Sequence, residues 1–102
     1  MIKMIALYKH PENKEAFDEH YFNTHGPLTA KIPGLKKMEV TRVIGSPMGG
    51  EGKYYLMCVM YYEDMASFKA AMKTDEAKAS GKDVMSFAGD LVTMMIGEDV
   101  NE

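Results

Sequence analysis

Apolar positions along the chain fall into two rhythms. Ile2, Met4, Ala6 and Tyr8 alternate with Ile5 and Leu7, a β-compatible run that His10-Pro11 stops. After Asn13, placed as an N-cap with Glu15 in the first turn, the period changes. Ala16, Phe17, His20 and Tyr21 share one helical face, opposite Lys14, Asp18 and Glu19. Gly26-Pro27 is predicted to end this helix, since the residue before proline avoids the α region. Leu28 to Ile32 adds at most one turn before Pro33-Gly34. Period two returns from Leu35 to Ile44, with Met38, Val40, Arg42 and Ile44 against Lys37, Glu39, Thr41 and Val43. Gly45 to Gly52 reads as a mobile, glycine-rich connector. Tyr54 to Tyr62 is the strongest strand. Asp64 caps a helix that presents Met65, Phe68, Ala71 and Met72. Thr74-Asp75 restarts a helical stretch, Gly81 interrupts it, and Asp83 begins a last turn with Val84, Phe87 and Ala88. Leu91 to Ile96 forms a final strand, and the acidic tail from Gly97 frays.

The order is β-α-β-β-α-β, a single domain over residues 1–102. Right-handed crossovers put both helical segments on one face of the sheet. The predicted class is α+β: a ferredoxin-like fold with a four-stranded antiparallel sheet and helices on one face. Such a sheet leaves its other face to solvent, yet at least three strands here are apolar on both sides. An uncovered patch of that size exceeds what a monomer ordinarily exposes. The expectation is a homodimer paired through the open sheet face.

Composition narrows the class. The chain has 102 residues, 46% hydrophobic, which excludes intrinsic disorder. Its net charge of −3 argues against a nucleic-acid partner. No apolar run reaches the ~20 residues that span a bilayer, so no membrane partner is expected. The single cysteine, Cys58, and the lack of a signal-peptide pattern point to a reducing, cytoplasmic setting. Eleven methionines suit an adaptable interface and pocket.

The candidate chemistry is small. His20 and His25 stand out, because imidazole titrates near neutrality and suits acid–base work. Five residues apart, they lie about 140° from one another on a continuous α-helix, but His25 falls where the helix breaks before Gly26-Pro27, which lets both lean toward the sheet. The same positions also suit a packed histidine at His20 and a helix C-cap at His25. No ligand cluster or phosphate-binding turn is visible, so neither metal nor cofactor is expected. The six tyrosines fit an aromatic-lined pocket as well as strand packing.

The segment from Ala16 to Leu28, with its His20-Tyr21-x-x-x-His25-x-Pro27-Leu28 core followed by Ile32-Pro33-Gly34-Leu35, resembles the EthD family of the dimeric α/β-barrel superfamily. The resemblance covers nearly the whole chain. It implies a ferredoxin-like protomer whose sheets pair into a barrel-like dimer, with a small pocket between sheet and helices. It carries the family's His/His/Pro segment onto His20, His25 and Pro27. The expectation is a small apolar or aromatic catabolic ligand, with His20 and His25 as catalytic candidates and Tyr21, Pro27 and Tyr61 as substrate-binding ones. Isomerase, lyase or cofactor-free oxidoreductase chemistry fits that reading. The alternative is a non-catalytic binding protein for a neighbouring oxygenase system.

Overall fold

Residues 1–100 are described in a computed structural model of the chain. Four strands, β1 (Ile2–Lys9), β2 (Lys37–Arg42), β3 (Tyr54–Tyr62) and β4 (Val92–Glu98), form one antiparallel sheet in the order β2-β3-β1-β4. The helical segments lie between β1 and β2 and between β3 and β4. This is the ferredoxin-like α+β fold.

The helix starts are set by local chemistry. Asn13 accepts from the Ala16 N–H at 3.0 Å and opens α1 (Lys14–His20). Asp64 accepts from Ser67 at 2.8 Å ahead of α3 (Met65–Met72), and Thr74 from Ala77 at 3.2 Å ahead of α4 (Asp75–Ala88). Each cap satisfies an amide that the helix itself leaves free.

Gly26-Pro27 does not end the first helical segment. A π-helical turn over Tyr21–His25 continues it into α2 (Gly26–Ala30). The Gly26 N–H reaches back five residues to the Tyr21 carbonyl, and Pro27 follows in the first turn of α2. A proline there needs no N–H, and the widened turn avoids the α-helical ladder in which its ring would strike the carbonyl of residue 23. A Cβ on residue 26 would sit 3.3 Å from the Tyr21 carbonyl, so the tight approach favours glycine.

Gly81 likewise fails to interrupt α4, which runs unbroken for 14 residues and puts Asp83 in mid-helix. Packing of Ser80, Val84 and Ala88 outweighs the roughly 1 kcal/mol that an internal glycine costs. β2 is shorter than the predicted Leu35 to Ile44, and β4 begins one residue later than predicted and ends two later. Rather than fraying at Gly97, β4 pairs Gly97 with Lys3 and Glu98 with Ile2, and Lys3 clamps Asp99 at 2.9 Å. The end of the predicted tail, residues 101–102, lies outside the described residues. The β2–β3 connector is tied down through the His10 ring, 3.0 Å from the Gly52 carbonyl, and takes positive φ at Gly49, Gly50 and Gly52.

The sheet has two unlike faces. Ala6, Tyr8, Leu56, Cys58, Met60 and Tyr62 are buried beneath the helices with Phe17, Tyr21, Phe68 and Val84. On the other face Ile5 sits between Val59 and Met95, and Leu7 between Met57 and Thr93. Lys3, Lys37, Glu39 and Thr41 border that apolar centre. The predicted surplus of apolar surface is therefore present, on the face the helices leave uncovered.

A buried histidine and its carboxylate beside a cavity

The π-turn changes how its own residues are aimed. Its hydrogen bonds join residues five apart, so positions that diverge by about 140° on an α-helix come to one side. His20 and His25 flank this turn, and both reach a single carboxylate on α4. His20 Nε2 lies 2.9 and 3.0 Å from the two Asp83 oxygens, and His25 Nδ1 lies 2.9 Å from Oδ2. A carboxylate only accepts, so those two ring nitrogens donate. His25 thereby keeps its proton on Nδ1 and turns an unprotonated Nε2 the other way.

Phe87 holds the two rings, 4.3 Å from the His20 ring and 5.2 Å from that of His25 between centroids. The pair differs in solvent access: the His20 side chain is 35% exposed and that of His25 only 8%, with Asp83 at 16% between them. Burial pushes the His25 pKa below 6.5, against the upward pull of Asp83 and with a further downward push from His20. His25 is neutral at pH 7 on that account.

A cavity of about 160 Å³ lies between the sheet, α2 and α4. Ala6, Cys58, Met60 and Val84 are among its mostly apolar walls, and His25, Thr29 and Ser80 are its polar ones. The Thr29 and Ser80 hydroxyls bond each other at 2.7 Å, while Thr29 Oγ1 is 3.4 Å from His25 Nε2. Gly81 and Met94 line the cavity and are also exposed, which marks its opening between α4 and β4. Burial also raises the Cys58 thiol above its usual value, so the sulfur stays protonated at neutral pH.

The sequence-predicted residues divide. His20 and His25 come together on Asp83. Tyr21 is buried beside them, 5.5 Å from the His25 ring, but packs against Tyr8 and Phe17 and does not line the cavity. Pro27 is exposed and shapes the helix path. Tyr61 lies across the sheet on the open face, where its hydroxyl donates to Glu39 at 2.6 Å. It cannot reach the cavity, because side chains alternate along β3 and Met60 and Tyr62 take the helix side. Asp83, Thr29 and Ser80 complete the arrangement and had not been singled out for it. The usable signal was the recurrence of Ser80, Asp83, Val84 and Phe87 at three and four residues, one face of an uninterrupted helix. Among the described residues, no group of three or more His, Cys, Asp or Glu is placed to hold a metal ion. None of the described helices is long and apolar enough to cross a membrane.

Comparison with known proteins places this architecture. The model of the EthD domain matches residues 9–90. An 11.0 kDa protein from the thcB–thcC intergenic region of Rhodococcus erythropolis is 31% identical over 99 residues, 97% of this chain and 95% of that one. The crystal structure of an ethyl tert-butyl ether degradation (EthD) family protein from Bacillus halodurans is 68% identical, with a TM-score of 0.95 over 98% of this chain and 99% of that one. A dimeric ferredoxin-like protein from Thermobifida fusca matches at a TM-score of 0.69 and 18% identity, over 96% and 90% of the two chains; that likeness is one of fold. With its family match spanning most of the length and a close relative along nearly all of it, the chain belongs to the EthD family.

Proposed function

We propose that the protein binds a small apolar or aromatic metabolite in the cavity and that His25 exchanges a proton with it. The observation that carries this reading is the division of labour at the His25 ring. Nδ1 is held by a mostly buried carboxylate 2.9 Å away, and Nε2 is turned toward Thr29, which lines the largely apolar cavity together with His25. A neutral imidazole oriented by an acid is a competent general base, and such transfer contributes typically 10²–10⁴-fold. Asp83 is the positioning residue: it fixes the tautomer and stabilises the imidazolium that forms. His20 donates to the same carboxylate from the solvent side and so helps to hold Asp83 against His25. Reactions that need only a proton moved, of isomerase or lyase type, suit this equipment, in a cytoplasmic degradative setting. The active unit is a homodimer paired through the open sheet face. Tyr21 supports the His25 ring from within the core.

The test uses a small enolisable ring, cyclohexane-1,2-dione, in D₂O, with exchange of its ring C–H for C–D followed by NMR. Wild-type protein accelerates exchange, and His25→Gln and Asp83→Asn each lose roughly 100-fold or more of that acceleration. Exchange that is indifferent to both substitutions refutes proton transfer at His25. Stoichiometric binding without any exchange assigns the protein to the non-catalytic, sequestering role.

A further inference from the structure

The cavity defines its ligand more closely than an apolar pocket alone would. Its volume, about 160 Å³, sets the size. An apolar cavity of ~150 Å³ accommodates benzene, so one ring fills this one and two fused rings do not fit. Met60 and Met72 in the wall offer polarizable sulfur to an aromatic face, and Val84 offers an apolar one.

The polar wall sets the chemistry. Thr29 and Ser80 share one hydrogen bond at 2.7 Å, which leaves one O–H of the pair to spare, and His25 Nδ1 is committed to Asp83. The acceptor that remains is Nε2, whose one neighbour, Thr29 Oγ1, stands 3.4 Å away. That exceeds the 2.7–3.2 Å of a good hydrogen bond. His25 is itself only 6% exposed, so water from the bulk reaches Nε2 poorly. A buried acceptor left weakly bonded costs free energy that a ligand recovers by donating to it. Ethers and ketones of the same size carry no donor and leave Nε2 as it was.

We propose that the cavity is specific for a single-ring ligand bearing one hydroxyl, a phenol or a cyclic enol, whose O–H donates to His25 Nε2. The ring then lies among the methionines, and the oxygen is within reach of the Thr29–Ser80 pair as a second anchor. This rests on the reading of His25 as the proton acceptor of the cavity and names what it accepts from.

Phenol and toluene are the probes, because they share a shape and differ in a hydroxyl for a methyl. Each is titrated at pH 8 into the full chain by calorimetry, with the ¹⁵N resonances of labelled histidine rings recorded in parallel. The expected result is one phenol per chain, bound at least tenfold more tightly than toluene, with phenol alone moving the His25 Nε2 resonance. Ala77→Phe, which puts a ring into the cavity from α4, abolishes both; melting curves verify that it folds. Toluene binding as tightly as phenol overturns the hydroxyl specificity and leaves the cavity reading standing. Binding of neither overturns both.

Discussion

Asp83 decides what the two histidines are. Without it, His25 would be a buried imidazole with free choice of tautomer, and His20 a ring lying on Phe87. A carboxylate between them gives one ring a fixed unprotonated nitrogen and leaves the other in contact with solvent. The buried ring has a measurable consequence for stability. Its pKa lies below 6.5 in the folded chain because burial disfavours the charge, so below that pH the unfolded chain takes up a proton first. The share of stability that depends on His25 is therefore complete above about pH 6.5 and falls as the pH is lowered toward the depressed folded value. Melting temperatures recorded between pH 7.5 and 5 should show that fall, and His25→Gln should reduce its size. An identical pH profile in the variant would show that His25 is protonated equally in both states. Both histidines were legible in the sequence as candidates. Their shared partner was not, since Asp83 is 58 and 63 positions away and only tertiary packing brings it near.

Elements were legible where local chemistry decides and illegible where packing overrides it. Asn13, Asp64 and Thr74 cap the helices as their residue types foretell, and Tyr54–Tyr62 is a strand along its whole length. Gly26-Pro27 and Gly81 carry the residue types that punctuate helices, yet the chain runs through both. At the first, a π-turn absorbs the proline, an accommodation that no residue type announces. At the second, the helix simply bears the glycine. That tolerance is testable, because a Cβ added at position 81 meets nothing within 4 Å. Gly81→Ala should stabilise the protein by about 0.5–1 kcal/mol in urea denaturation, from helix propensity alone. A destabilised variant would mean that the glycine serves a conformation other than the helix described here. The π-turn also explains how His20 and His25 escape the 140° that a continuous α-helix would set between them: the irregularity expected before Gly26-Pro27 is present, as a wider turn and not as a break.

The molecule as a whole is a slab, 39 by 32 by only 19 Å, one sheet and one helical layer deep. Its accessible surface, 6510 Å², exceeds the roughly 5,800 Å² that its mass would ordinarily leave exposed. Sedimentation at micromolar concentration should give a species of twice the 11.4 kDa chain. Val59→Lys, a charge set in the middle of the open face, should return it to one chain; a wild-type monomer would dismiss the pairing. The sheet itself couples these matters, since it is a single backbone thick. Ile5 and Val59 look toward the open face, while their immediate neighbours Ala6 and Met60 line the cavity. Any shift of register or pleat that pairing imposes on one side is transmitted to the other through adjacent peptide units. Were pairing to impose such a shift, occupancy of the proposed cavity and strength of association would become linked quantities. By reciprocity, a ligand that tightens the dimer is bound more tightly by it, so apparent affinity rises with protein concentration.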